Sequence, residues 1–147
     1  MTGPIVVINP NSNQAVTDGL DHALAPFRLT GGPDIKCVTL AEGPFGVESQ
    51  VHSDQVVLPL VNLLKQHGDA SAFVIACYSD PGIDVCRSVS TVPVFGIQES
   101  GVLMALSRAD RIGIVAISGA SEKRHRLYMR RMGVAGRVAG ERALNMS

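Results

Sequence analysis

The chain is predicted to be an α/β protein, a parallel sheet flanked by helices, on three observations. Short aliphatic runs alternate with helix-patterned segments along its whole length. The run Ala72-Phe73-Val74-Ile75-Ala76 is apolar at every position, as in a strand covered on both faces within a parallel sheet. The strand, small polar loop and helix of Ile5-Val6-Val7-Ile8-Asn9-Pro10-Asn11-Ser12 return in plan at Ile112-Gly113-Ile114-Val115-Ala116-Ile117-Ser118-Gly119-Ala120-Ser121.

The elements follow in order. Pro4 to Ile8 reads as a strand that Asn9-Pro10-Asn11-Ser12 breaks. Residues 13–25 read as a helix with Val16, Leu20 and Leu24 on one face, capped by Asn11 or Ser12. Ile35 to Leu40 is a second strand, and Glu42 to Gly46 a loop rich in Gly and Pro. Residues 48–66 form one long helix with Val56, Val57, Leu60, Leu63 and Leu64 as its buried stripe, ended by Gly68. After the third strand, Ser79-Asp80-Pro81-Gly82 is a turn with Asp80 as N-cap and Pro81 at the first position of a short helix. Pro93 to Gly96 is a fourth strand, Gln98 to Ala109 a helix, Arg111 to Ile117 a fifth strand, and Ser121 to Met132 a last helix. The internal echo divides the chain into an α/β unit over 1–97 and the beginning of a second, similar unit over 98–147. That second unit has room for one strand and helix and a tail.

Composition narrows the functional classes. The chain has 147 residues, 46% of them hydrophobic, so a core is available, and its formal net charge is +0. That balance lacks the basic footprint of a nucleic-acid binder. No apolar run approaches the roughly 20 residues of a membrane span, and no basic segment precedes the first apolar run, so no signal peptide or membrane association is expected. The cluster Lys123-Arg124-His125-Arg126, followed by Arg130-Arg131, reads as the solvated face of a helix. The 3 cysteines have no metal-ligand spacing. Free thiols then imply a cytoplasmic protein. Of the histidines, His22, His67 and His125 lie on or near helices without a paired ligand, and His52 follows the Gly-Pro loop. Surface roles are expected for all of them, and no metal.

Ligands of open parallel sheets bind at the carboxyl ends of the strands. The side chains placed there are Asn9 and Asn11, Cys77 and Ser79, Gln98 and Glu99, and Ser118. They are small hydrogen-bonding groups and one thiol, several of them followed by a helix start, where backbone N–H groups favour anions. A carboxylate or imide suits such a site. A triphosphate does not, because no Gly-x-x-x-x-Gly-Lys loop is present. A helix start beyond Cys77 would lower its pKa from about 8.5, making a thiolate available to take a proton from a carbon next to a carbonyl. Inverting that carbon requires a second acid on the opposite face. Position alone leaves Cys77 open between this role and a buried core thiol. Cys37 and Cys86, mid-strand and mid-helix, read as core. Asn9, Asn11, Glu99, Ser118 and Ser121 are equally explicable as turn, cap and helix-dipole residues.

The ordered motifs Ile8-Asn9-Pro10-Asn11-Ser12, Gly43-Pro44 with Glu48-Ser49, Ala76-Cys77-Tyr78-Ser79-Asp80-Pro81-Gly82, Pro93-Val94-Phe95-Gly96-Ile97-Gln98-Glu99-Ser100 and the tail 139–147 resemble the Asp/Glu/hydantoin racemase family, on its hydantoin and allantoin racemase side. The resemblance covers nearly the whole chain. It implies a cofactor-independent isomerase with two pseudo-symmetric α/β domains, the site between them, and one acid/base cysteine from each. Cys77 matches the first cysteine. Asn9 and Ser79 match positions that hold the polar groups of a small-molecule substrate, and Ser118 matches the first binding loop of the second domain. Asn11 and Glu99 complete the expected substrate-binding set, Glu99 at its rim. The substrate class implied is a hydantoin or related cyclic ureide.

Family members are longer, so the chain is expected to be truncated in the second domain, with the second cysteine beyond Ser147. Neither Cys37 nor Cys86 sits in that second motif. Two other readings share these residues. One is a maleate isomerase or arylmalonate decarboxylase type of cysteine enzyme. The other is a non-catalytic ligand-binding or oligomerising relative. An incomplete sheet leaves apolar surface and open edges, from which a homo-oligomer is expected.

Overall fold

The computed structural model describes residues 3–145; Met146 and Ser147 of the familial tail lie outside the described residues. It is an α/β structure in two units. In the first, strands β1 (Ile5–Asn9), β2 (Ile35–Thr39), β3 (Ala72–Ile75) and β4 (Val94–Gly96) form a sheet of order β2-β1-β3-β4. Every pairing is parallel, with Ile5 opposite both Ile35 and Ala72, and Phe73 opposite Val94. The sheet is flanked by α1 (Gln14–Leu24), α2 (Gln50–Gln55), α3 (Val57–Gln66) and α4 (Ile83–Val89). Its core gathers Val6, Ile8, Leu60, Leu64, Phe73 and Ile75 with the thiol of Cys86. β1 is buried from Val6 to Asn9, as a central parallel strand should be, whereas β3 alternates, with Phe73 and Ile75 buried and Val74 half-buried.

Several local expectations are corrected. The helix expected over 48–66 is two helices, broken at Val56. Pro59 has no N–H to give an intrahelical bond and disfavours helical backbone before it, so the chain starts a new helix whose first turn tolerates the proline. On α1, Val16 is exposed and Thr17 is the buried residue, because Thr17 faces a polar loop rather than the apolar core. Its cap is Asn13, whose side chain accepts from Ala15 N, and neither Asn11 nor Ser12.

The second unit comprises α5 (Ile97–Leu106), β5 (Ile112–Ala116), α6 (Glu122–Arg131) and β6 (Val138–Ala143). Its small core is Val102, Ile112, Ile114 and Met129. The tail is not without structure. β6 pairs parallel to β5 from Ile112 opposite Val138 to Ala116 opposite Ala143, with a bulge after Ile112. Val138-Ala139-Gly140-Glu141-Arg142-Ala143 carries too few β-branched residues to announce a strand, and its partner's backbone supplies what propensity does not. One face of this two-stranded sheet is open, with Val115 70% and Ile117 73% exposed. On α5, Leu103 and Met104 also face outward. Among the described residues no helix is long and apolar enough to cross a membrane.

Candidate active site

The carboxyl ends of β1 and β3 lie side by side, and two loops pack there. Asn9, fully buried, organises the first. Its Nδ2 donates to Asn11 Oδ1 (3.0 Å), to the Asn13 carbonyl (3.1 Å) and to Thr17 Oγ1 (3.1 Å), and its Oδ1 accepts from Asn11 N (3.2 Å). Asn11 Oδ1 also accepts from Asn13 N at 3.0 Å. The expected pair Asn9 and Asn11 is thus brought together, and the Asn9 amide is engaged in holding the loop's shape. The Gly43-Pro44 loop closes against it: Pro44 O accepts from Ser12 N at 2.9 Å, and a Cβ on Gly43 would meet the Pro10 carbonyl.

The second loop follows β3. The Cys77 carbonyl accepts from Ser79 N (2.8 Å) and Asp80 N (3.0 Å), which turns the chain sharply after the cysteine. The turn leaves Cys77 Sγ half-buried, 3.3 Å from Ser79 Oγ. Burial pushes the thiol pKa up; the Ser79 hydroxyl pulls it down, Asp80 raises it and Arg124 lowers it. The expected lowering by a helix start is not what the surroundings produce, because α4 begins only at Ile83, beyond the turn. Cys86 is fully buried in the core, and its pKa is pushed up to about 11. Cys37 is half-buried near Asp21 and Arg28.

Asp80 does not cap α4. Gly82, in the left-handed conformation, occupies that position. The Asp80 side chain crosses to the next strand end instead, where Oδ1 accepts from Gln98 N (3.0 Å) and Oδ2 from Glu99 N (2.8 Å). It therefore caps α5 and ties the Cys77 loop to the first helix of the second unit. Asp80 adopts φ 40°, a conformation that Asp accepts better than most residues. Gly96 is required by the same contact, since a Cβ there would run into the Asp80 carboxylate. Burial still raises the Asp80 pKa, against the two N–H bonds that lower it.

Glu99 is drawn to the side. Its Oε2 pairs with Arg87 Nη1 at 2.9 Å and accepts from the Tyr128 hydroxyl at 3.4 Å. Ser118 ends β5 on the separate sheet, where its carbonyl accepts from Ser121 Oγ (2.8 Å). Among the described residues no hydrogen bond joins Ser118, Asn9 or Glu99 to Cys77. His52 Nδ1 accepts from Glu48 N while its own N–H donates to Ser49 Oγ, an N-cap arrangement for α2. No cluster of three or more His, Cys, Asp or Glu groups suited to a metal occurs among the described residues.

Strand-end reasoning missed the contribution of α6. Its basic run is not simply a solvated face. His125 turns inward, with Nδ1 2.5 Å from Glu141 Oε1 of β6 and the two side chains 6% and 8% exposed. Its ring meets the edge of Tyr78, next to Cys77, with centroids 5.0 Å apart at 87°. Arg124 reaches back to the first unit, donating through Nη1 to the Glu48 carbonyl at 2.5 Å. A signal was present: a histidine and an arginine one residue apart on a helix whose buried side also carries Met129. A cleft of about 210 Å³ runs between α2, the Ser79–Val85 turn and α6, lined by Ser79, Asp80, Arg124 and Tyr128 among others. Cys77 is not among its lining residues; it is linked to the cleft through Ser79, whose Oγ is 3.3 Å from its sulfur.

Comparison with known proteins agrees with this architecture. The family model of Asp/Glu/hydantoin racemases matches residues 5–147. A hydantoin racemase of Pseudomonas sp. (strain NS671) is 36% identical over 115 residues, 77% of this chain and 46% of that protein. A hydantoin racemase of Paenarthrobacter aurescens is 28% identical over 145 residues, 97% of this chain and 61% of its own length. An allantoin racemase structure from Klebsiella pneumoniae superposes with a TM-score of 0.90 at 25% identity, covering 99% of this chain and 60% of that one. The chain thus spans about half to three-fifths of the length of these relatives. A parallel sheet ending in the Asn9 and Cys77 loops, and a family match from β1 onward, place the chain in the Asp/Glu/hydantoin racemase family.

Proposed function

We propose that the chain supplies one acid/base thiol, Cys77, of a cofactor-independent racemase that acts on the α-carbon of a hydantoin or related cyclic ureide. The observation that carries this reading is the position of Cys77: half-buried at the carboxyl end of an interior strand, with Ser79 Oγ 3.3 Å from its sulfur. The names of the relatives support the substrate class. Asn9 and Asn11 would shape the loop that receives the ring. Ser79 would hold a carbonyl or N–H group, with Glu99 and Ser118 at the edges. In this scheme the thiolate removes the α-proton and becomes a thiol, and the C–H electron pair moves into the adjacent carbonyl.

Deuterium exchange tests the reading. In D2O, one working thiol exchanges the α-proton of a chiral 5-substituted hydantoin with retention, and two working thiols exchange it with inversion and loss of optical rotation. Cys77→Ser is expected to abolish exchange. Unchanged exchange in that variant, or none with any of several substituted hydantoins, would sink the proposal. One feature favours a second reading, a ligand-binding relative: burial raises the Cys77 pKa, which disfavours the thiolate. That reading predicts binding with no exchange. The open apolar surface of Val115, Ile117, Leu103 and Met104 fits a homo-oligomer, and sedimentation as a lone monomer would count against one.

A further inference from the structure

The first turn of α6 brings a cation to the Cys77 loop that no acid neutralises. Among the described residues Arg124 forms no ion pair, while Arg28, Arg87, Arg126 and Arg137 each do. Two main-chain carbonyls hold its guanidinium instead, Glu48 at 2.5 Å and Val47 at 3.5 Å. They fix its position without cancelling its charge. Its Nε is buried and has no hydrogen-bond partner among the described residues. A buried donor left unpaired is costly, and buried charges are ordinarily paired. A half-buried, unneutralised guanidinium on the lining of a cleft therefore points to a group that arrives from outside. The cleft supplies the approach, because Arg124 lines it together with Ser79, whose hydroxyl touches the Cys77 sulfur. The acids of that cleft are otherwise engaged or offset: Asp80 binds the α5 N–H groups, Asp54 accepts from Gln50, Asp84 lies in the first turn of α4, and Arg131 adds a second cation.

We propose that Arg124 is a ligand-binding residue of this site, holding an oxygen of full or developing negative charge, a ureide carbonyl or a carboxylate, beside Cys77. The role rests on the reading of Cys77 as the acid/base thiol. When the α-carbon's C–H bond breaks and the S–H bond forms, the electron pair settles on the carbonyl oxygen, and Arg124 donates to that oxygen. The step reverses when the thiol returns the proton. Arg124 does not merely join the two units; it selects substrates that can place an oxygen against the cleft-lining part of its guanidinium.

The charge of the site can be read without turnover. The protein is alkylated with iodoacetate and with iodoacetamide, and modification at Cys77 is followed by peptide mass spectrometry, with half-buried Cys37 beside Asp21 as the internal reference. The ratio of iodoacetate to iodoacetamide rates is expected to be higher at Cys77 than at Cys37, and to fall about fivefold in Arg124→Gln. Arg124→Lys keeps the charge and should keep most of the preference. A ratio at Cys77 no higher than at Cys37, or unchanged in Arg124→Gln, would overturn the assignment. If Arg124→Gln does not fold, the unaltered protein still decides: the preference must fade as salt rises to about 1 M, where screening acts over about 3 Å. In exchange assays Arg124→Gln should lower kcat about 100-fold with a smaller change in KM, the scale of removing one oxyanion donor. Undiminished kcat would also refute the role. If Cys77→Ser leaves exchange intact, the acid/base reading fails, whereas the alkylation ratio still judges Arg124.

Discussion

Removing the Asp80 carboxylate should separate two effects that act on it in opposite directions. The side chain gives two acceptor bonds to the α5 N-terminus, at Gln98 N (3.0 Å) and Glu99 N (2.8 Å). Gln98 is fully buried, so its N–H has no water to turn to. Asp80→Ala orphans both donors at about 1–3 kcal/mol each, the upper end applying to the buried one. It also puts alanine at φ 40°, which suits it less well than Asp. A loss of about 3 kcal/mol is expected, a large share of the stability of an ordinary domain. Asp80→Asn keeps one acceptor and tolerates the same φ. It also discharges a carboxylate whose pKa is raised by burial, so it should cost no more than about 1 kcal/mol. The pH dependence has a definite sign. A raised pKa in the folded protein means that the folded state binds this proton more readily than the unfolded one, whose value is near 3.8. Asp80's contribution is then fully present below that value and lost as pH rises through the folded pKa. The unaltered protein should gain on Asp80→Asn as the pH falls towards 4. Urea unfolding followed by circular dichroism is the assay. With an m-value of about 1.5 kcal/mol/M, Asp80→Ala should move the midpoint by about 2 M. A shift below about 0.3 M, or equal costs for Asn and Ala, would show that the carboxylate is not the α5 cap.

Gly96→Ala places a methyl group against the Asp80 carboxylate and should cost about 2 kcal/mol in the same assay. In the double variant with Asp80→Ala the clash has no partner, so the two losses should be clearly less than additive. Cys86, with its pKa pushed from 9.0 to about 11, contributes stability that is present below pH 9 and lost as pH rises through about 11. Unfolding at pH 8 and pH 11 should show a larger loss in the unaltered protein than in Cys86→Ala, where only the other raised thiols and tyrosines contribute. His125→Ala leaves Glu141 buried without its partner and should cost about 3 kcal/mol, with Glu141→Gln markedly milder; equal effects would mean that the pair carries no charge of consequence.

How far the sequence could be read depended on whether a residue's role was local. β1, β3, β4 and β5 were legible because each is an aliphatic run closed by Asn, Cys, Gly or Ser, and their parallel pairing follows from the helices between them. The strand-end placement of the loop asparagines and Cys77 was legible for the same reason. β6 was not, because a strand containing Gly140, Glu141 and Arg142 exists only through the backbone of β5. Asp80 misled for a related reason. Asp before Pro and Gly is a sound local cap signal, but the carboxylate finds better donors 18 and 19 residues away. Val16 misled because periodicity marks a face and not what covers it, and α1 presents Thr17 to the Asn9 loop.

The basic run of α6 carries the larger lesson for the site. A string of Lys, Arg and His on a helix is usually a solvated face, and Lys123 and Arg126 are exposed. The two residues between them are not. Arg124 reaches the 47–48 carbonyls of the first unit, His125 lies between Glu141 of β6 and Tyr78, and Tyr128 packs against the first core. The Cys77 loop is therefore touched from the second unit at Tyr78, although the Cys77 thiol makes its hydrogen bond within its own loop. The same α6 turn that clamps the 47–48 segment places a guanidinium without an ion-pair partner among the described residues on the lining of the cleft. Any motion that parts the two units must draw Arg124 from the Glu48 carbonyl, His125 from Tyr78 and the α5 N-terminus from Asp80. Opening of this site and loosening of the Cys77 loop are on this geometry a single event, and weakening any one of these three contacts should loosen the other two.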